Sequence, residues 1–299
     1  MMRHYQTRIS QIVDAHRDMH IPNIETSPSK NSTTPFSLDE PVYQIAKSAC
    51  LQLGFIERDA ECLAQAWLRM SPDINHLDPM LWPDEPSYFE INTPDDEGFS
   101  KCPHELGLYI VAPDSNWIGR LIAAGVKTMQ LRFKSENPQE IEDQIAQAVE
   151  LSKNTDIRLF INDHWQLAIK YQAYGIHLGQ EDLDTADLDA IRNSGLRLGL
   201  STHGYAEMVR AAHYTPSYIA LGAIFPTTLK KMETAPQGLC RLKRYAKVLN
   251  SYPLVGIGGV DMSNIKNVLD TGVQSAALVR AVINAEDPEL AIKQLNAYF

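Results

Sequence analysis

Two short apolar runs each stop at an acid. Phe160-Ile161-Asn162 is followed by Asp163, and Ile176-His177-Leu178-Gly179-Gln180-Glu181 by Asp182. Brought to one point, two such carboxylates repel, and a hard cation removes that cost. Mg²⁺ suits the pair, because it takes one or two carboxylates and fills its other positions with water and phosphate oxygens. Arg132, Lys134 and Lys230 supply the positive charge that a phosphate or pyrophosphate requires. In a strand, Gln130-Leu131-Arg132-Phe133-Lys134 would turn Gln130, Arg132 and Lys134 to one face. Gly258-Gly259 would let backbone N–H groups approach a phosphate. Ser201-Thr202-His203 suggests a Ser–His nucleophile, but no acid to orient it is evident and no G-x-S-x-G elbow occurs, so hydrolase chemistry is not expected.

Each element has a plainer alternative. An acid at a strand end can be only the N-cap of the next helix. The QLRFK run can be an ordinary strand with solvated ends, and Gly258-Gly259 a tight turn. His177, inside a strand, reads as a satisfied polar group or a substrate contact rather than a metal ligand. Position decides between these readings. Apolar runs recur at 106–112, 127–133, 158–162, 174–179, 197–201, 218–224, 254–258 and 275–280. Helical patterns alternate with them, from IGRLIAAGV through PQEIEDQIAQAVELSK to NIKNVLDTG. Parallel strands need such crossover helices, so an α/β fold with a (β/α)8 TIM barrel over 103–299 is predicted. A doubly wound open sheet is the alternative, weakened by the lack of a G-x-G-x-x-G after the first strand. In a barrel all C-terminal strand ends face one mouth, where chemistry sits. Ends two to eight are polar or glycine-rich, including Asn162-Asp163, Ser201-Thr202-His203, Thr227-Thr228-Leu229-Lys230-Lys231 and Val279-Arg280. The plain readings would all have to hold at the same mouth.

The chain has 299 residues and a net charge of −10, which argues against a nucleic-acid or anionic-membrane binder. Residues 1–100 hold 7 Lys/Arg against 16 Asp/Glu, a net of −9, so the acidity is concentrated there. Only Gly54 and Gly98 fall in that stretch, so two regions of different build are expected. The four cysteines form no CxxC pair, which argues against zinc and fits reduced thiols. The N-terminus lacks an apolar signal core, and no run reaches the roughly 20 apolar residues of a membrane span, so a cytoplasmic protein is expected.

Within the first hundred residues, Ile9, Ile12 and Val13 can line a short helix. Residues 22–37 read as a linker, and Ser37-Leu38-Asp39-Glu40 as a helix start. Val42, Ile45, Ala46, Ala49 and Leu53 follow helical spacing, and a second helix fits 58–70. Residues 71–105, rich in proline and acids, read as a long irregular tether. The acidic helical pair reads as solvated surface.

The ordered series QLRFK, INDHWQLAIKYQAYGIHLGQEDL, LGLSTH, YIALGAIFPT and GIGGV resembles the thiamine-phosphate synthase family over about residues 103–298. The resemblance implies a TIM-barrel transferase that joins hydroxymethylpyrimidine diphosphate to a thiazole phosphate, with or without a carboxylate. Its implied path is dissociative, with Mg²⁺ as cofactor. By the same resemblance, Gln130, Arg132, Lys134 and Asn162, with Leu131 and Phe133 in the same segment, would hold the pyrimidine diphosphate. Asp163 and Asp182 would bind Mg²⁺, Ser201 would contact the pyrimidine diphosphate, and Lys230 its pyrophosphate. Thr227, Thr228 and Gly259 would hold the thiazole phosphate, closed by Val279 and Arg280. Arg132, Lys134, Lys230 and Ser201 would be the catalytic set. Two positions depart from the family pattern: Leu229 stands where a second threonine is usual, and Arg280 where serine is usual. A thiazole tautomerase-type isomerase and a degenerate thiazole-phosphate binder are the competing readings, and the Asp163/Asp182 pair with Lys134 favours the synthase. Partners are small molecules, with homo-oligomerisation left open. Residues 38–70 and the tether resemble, more distantly, the tail of a hydroxymethylpyrimidine phosphate kinase fused ahead of a synthase. The stretch is too short for a whole kinase and lacks a glycine-rich phosphate loop, so no kinase activity is expected.

Overall fold

The computed structural model describes residues 2–22, 40–91, 93–94, 98–227 and 234–299. Three helices come first: α1 (Met2–Ala15), α2 (Pro41–Gln52) and α3 (Glu57–Met70). Eight parallel strands follow: β1 (Leu108–Ala112), β2 (Thr128–Leu131), β3 (Arg158–Asn162), β4 (Gly175–Leu178), β5 (Arg197–Thr202), β6 (Tyr218–Leu221), β7 (Leu254–Ile257) and β8 (Ser275–Leu278). They pair in sequence order and close into a barrel, with Leu108 of β1 opposite Ala276 of β8. Around it run α4 (Ser115–Ala123), α5 (Pro138–Ser152), α6 (Trp165–Tyr171), α7 (Leu188–Asn193), α8 (Tyr205–His213), α9 (Gly238–Val248), α10 (Ile265–Leu269), α11 (Arg280–Ile283) and α12 (Pro288–Asn296). The predicted strand set is thereby found, with ends trimmed by a few residues.

Strands buried on both faces must be apolar on both, which is why these runs do not alternate with polar residues. Inside the barrel Leu106, Tyr109, Phe160, Tyr218, Val255 and Ala277 form one apolar cluster. A second, larger cluster lies between strands and helices. Gly199 makes room for the interior: a Cβ there would sit 2.2 Å from the Tyr218 ring. Helix starts are set locally. Asp114, Asn137, Asp187 and Asp287 each accept a backbone N–H in the first turn of α4, α5, α7 and α12.

The first hundred residues differ in part from expectation. Ile9 and Ile12 are buried on α1, and Val42, Ile45, Ala46, Ala49 and Leu53 are buried on or just after α2, as the spacing predicts. The proposed linker and the Ser37 helix start lie almost wholly outside the described residues. The tether is irregular, yet it is packed: Leu77, Trp82, Phe89, Ile91 and Phe99 are buried in the same cluster as the barrel wall. Nor is the helical pair only solvated surface. Asp59 and Glu61 of α3 are buried, and Glu61 accepts from Tyr43 and, at 2.9 Å, from Lys47. A buried acid needs such partners. The unit as a whole packs on α8 and α9. Arg241 of α9 donates to Met19 O at 3.0 Å and Leu53 O at 2.9 Å, and its guanidinium lies 3.6 Å from the Phe55 ring centroid.

Candidate active site

The C-terminal strand ends gather the predicted residues in two groups. On the β2–β5 side, β2 ends at Leu131, and Arg132 N–H still donates to Ala112 O at 2.9 Å. Arg132 is half-buried and Lys134 exposed, and neither makes an ion pair with a described residue. Lys134 lies outside the strand, so the shared-face argument covers only Gln130 and Arg132. Leu131 is buried and Phe133 packs on the core, so the side chains of both serve as wall.

Asn162 lies opposite His177 in register. Asp163 follows with φ +64, a left-handed conformation that Asp tolerates better than most residues. Its N–H donates to His177 O at 3.1 Å, which extends the β3–β4 ladder by one residue. The helix-cap alternative fails for Asp163, because α6 is preceded by His164 and has no side-chain cap. Asp182 Oδ2 accepts Gly179 N–H at 2.7 Å. One N–H leaves lone pairs on both carboxylate oxygens. The cap of α7 is Asp187, not Asp182. The Asp163 backbone is thus bonded to β4, and the Asp182 carboxylate to the residue just past it. Among the described residues no group of three or more His, Cys, Asp or Glu could hold a metal. Two carboxylates suit a hard cation that keeps waters and phosphate oxygens, and do not suit zinc.

Beneath this group runs a buried polar chain that sequence reasoning missed. Gln130 Nε2 donates to Tyr109 Oη at 3.3 Å, and Tyr109 Oη pairs with Tyr218 Oη at 2.9 Å. His177 Nδ1 meets Tyr218 Oη at 2.6 Å, and His177 Nε2 meets Ser201 Oγ at 2.8 Å. Burial pushes the Tyr218 phenol well above its ordinary value, so it stays neutral. Gln180 Nε2 donates to Ser201 O at 2.8 Å. The available signal was one polar residue at an inward position of otherwise apolar strands. Ser201 is thus paired with His177, whose other nitrogen faces a phenol rather than an acid. The expected absence of an orienting acid near His203 is corrected. Glu207 Oε2 takes His203 Nδ1 at 2.7 Å, and i, i+4 spacing on α8 explains it. Burial raises the Glu207 carboxyl, but the His203 hydrogen bonds and the His203 and Arg58 charges outweigh it and hold it below its ordinary value.

On the β6–β8 side, Thr227 is half-buried after β6, while Thr228, Leu229 and Lys230 lie outside the described residues. Gly258 and Gly259 have φ +97 and +70. A Cβ would lie 2.6 Å from Ala223 at the first and 2.7 Å from Phe225 at the second. Both conformation and space therefore demand glycine. Val279 precedes α11, and Arg280 opens that short helix with its side chain exposed.

The family pattern described as thiamine monophosphate synthase matches residues 108–282. A curated thiamine-phosphate synthase from Serratia proteamaculans is 54% identical over 206 residues, which cover 69% of this chain and 95% of that protein. One from Neisseria meningitidis serogroup B is 53% identical over 199 residues, covering 67% of this chain and 97% of that protein. A solved thiamine phosphate pyrophosphorylase from Pyrococcus furiosus superposes with a TM-score of 0.57 at 26% identity, over 64% of this chain and 95% of that one. The chain, matched by these relatives over nearly their whole length, belongs to the thiamine monophosphate synthase family.

Proposed function

We propose that the barrel, residues 103–299, couples hydroxymethylpyrimidine diphosphate to thiazole phosphate, giving thiamine phosphate and pyrophosphate, with residues 1–100 as an appended unit. The observation that carries this reading is that Asp163, Asp182 and the strand-two cations follow the C-terminal ends of consecutive barrel strands, in a chain of this family. The bond from the pyrimidine methylene carbon to the diphosphate oxygen breaks, and its electron pair leaves with the diphosphate. The thiazole nitrogen lone pair then forms the new C–N bond to the pyrimidine-methyl cation. No proton transfer and no protein nucleophile is required by these steps.

Asp163 and Asp182 would hold Mg²⁺, which when bound supplies positive charge to the leaving diphosphate oxygens. Arg132 and Lys134 would hold that same leaving group, joined by Lys230. Gln130, Asn162 and Ser201 would orient the pyrimidine, with Gln130 braced by Tyr109 and Ser201 by His177. Thr227, Thr228, the backbone at Gly259 and Arg280 would bind the thiazole phosphate. A phosphate site after strands seven and eight, at a short extra helix, is frequent in this fold. No helix among the described residues is long and apolar enough to cross a membrane. We place the activity in the cytoplasm, on small-molecule substrates.

Thiamine phosphate formation from the two substrates and Mg²⁺, followed by fluorescence after oxidation, tests the reading. Turnover that is lost in EDTA and restored by Mg²⁺ is expected. A folded protein that makes no product would reject it.

A further inference from the structure

Helix α8 begins just past Ser201, and it is gripped from outside the barrel. Each of its first three residues is bonded by the N-terminal unit. Tyr205 Oη accepts from Trp82 Nε1 at 3.0 Å, and the Tyr205 ring stacks on Phe89 with centroids 5.3 Å apart. Ala206 N–H donates to Asp59 Oδ1 at 2.9 Å. Glu207 Oε1 accepts from Arg58 Nη2 at 2.6 Å. Gly204 brings no side-chain cap of its own. Asp59 of α3 thus supplies the acceptor that a Ser or Asp at the N-cap would otherwise provide. A Cβ at 204 would lie 2.1 Å from Asp59 Oδ2, so the glycine is a socket for a carboxylate from another part of the chain.

Two connections run from α8 to the mouth. Glu207 Oε2 holds His203 at its N–H, 2.9 Å, and at Nδ1, 2.7 Å, two residues past Ser201. Arg210, farther along α8, donates to Gln180 O at 3.1 Å and to Asp184 Oδ1 at 2.6 Å. Those two residues flank Asp182.

We propose that Arg58 and Asp59 are positioning residues for the pyrimidine-diphosphate half of the active site, acting through α8 on the end of β5, where Ser201 stands, and on the loop that carries Asp182. The inference rests on the transferase reading above and assigns a role to a stretch that the family pattern, residues 108–282, does not include. Neither side chain touches substrate. Both set where these two segments stand before substrate arrives, so their loss weakens the hold on one substrate and spares the other.

The test uses the full chain as wild type, Asp59→Ala, Asp59→Asn and Arg58→Ala. Steady-state rates are measured with each substrate varied in turn, and amide hydrogen exchange is followed over residues 201–208. Asp59→Ala is expected to raise KM for the pyrimidine diphosphate about fivefold, the size of one lost helix cap, with KM for thiazole phosphate unchanged. Asp59→Asn restores it, because an amide oxygen still accepts the Ala206 N–H. Arg58→Ala removes a side chain that is 46% exposed, so it keeps the fold, and it raises the same KM by a smaller factor. Exchange over 203–208 quickens in both alanine variants and not in Asp59→Asn.

A purely structural role would lower activity toward both substrates together, and that outcome overturns the proposal. Unchanged exchange over 203–208 in both alanine variants also overturns it, with or without turnover. If Asp59→Ala does not fold, the contrast between Arg58→Ala and Asp59→Asn decides. A wild-type chain without turnover but with the expected exchange pattern rejects the transferase reading and keeps the clamp.

Discussion

The two sides of the barrel mouth are built by different means. On the β2–β5 side, the predicted residues are held near strand ends by hydrogen bonds of both side chains and backbone. The Asp163 backbone N–H is tied to His177 O, the Asp182 carboxylate to Gly179 N–H, and the Ser201 hydroxyl to His177. On the β6–β8 side the described residues instead show a tight glycine turn. Gly258 and Gly259 lie at positive φ against Ala223 and Phe225, with no room for a Cβ. The two departures from the family pattern, Leu229 and Arg280, both fall on the second side. A site made by backbone survives a change of side chain, whereas a site made by side chains does not. The first side should therefore fail on truncation, and the second on the addition of a single methyl.

The largest effect is expected from Asp182→Ala. Losing a group that stabilises charge on a leaving diphosphate should lower kcat by about a hundredfold to a thousandfold, the range seen when one preorganised donor is removed. The variant should unfold in urea with the same midpoint slope as wild type, because Asp182 is only half-buried at the rim. A loss under tenfold at saturating Mg²⁺ would move the acid out of the site.

The first side also has a support with its own pH signature. Burial is the main cause that lifts the Asp59 carboxyl from 3.8 to about 6, against the Ala206 N–H and the Arg58 and Arg241 charges, with Glu207 adding to the rise. The folded value lies above the unfolded one, so the contribution to stability is complete below 3.8 and is lost as pH rises through about 6. A rise of that size corresponds to about 3 kcal/mol. Urea unfolding should show about 1.4 kcal/mol of that loss between about pH 5 and about pH 8 in wild type and not in Asp59→Asn. An identical slope in both would remove Asp59 as its source.

How much of this is legible in the sequence follows the range of the forces involved. The eight strands and the intervening helices rest on local periodicity, and Asp163 and Asp182 stand at strand ends because the strands end there. The segment 71–105 reads as a tether because Trp82 and Phe89, which are buried, follow no period. Their burial comes from Tyr205, over a hundred residues away in sequence. Asp59 cannot be read as a cap from its own surroundings, since the helix it caps is α8. The Gln130–Tyr109–Tyr218–His177 chain joins four strands, and only barrel closure brings them together. The His203–Glu207 contact was within reach, because its spacing is helical.

Gly259→Ala tests the second side by addition. Its Cβ would meet Phe225 and Pro226 O, in a conformation that costs an L-residue about 1–2 kcal/mol. KM for thiazole phosphate should rise, and KM for the pyrimidine diphosphate should stay at the wild-type value. Equal rises in both would mean that the turn supports the whole mouth.

The smallest effect, and the sharpest discrimination, comes from Arg280→Ser. Arg280 is exposed at the start of α11, so its removal leaves no cavity and should not change thermal stability. A guanidinium on a phosphate contributes about 1.5–3 kcal/mol as a charged hydrogen bond, but an exposed one falls at the low end. KM for thiazole phosphate should therefore rise by about tenfold, with kcat unchanged. Serine still offers a hydroxyl to the phosphate, and the glycine turn still offers its backbone. If KM falls instead, Arg280 crowds the substrate, and the backbone alone binds the phosphate. That result would draw the contrast between the two sides more strongly, since the second would then need no charged side chain at that position.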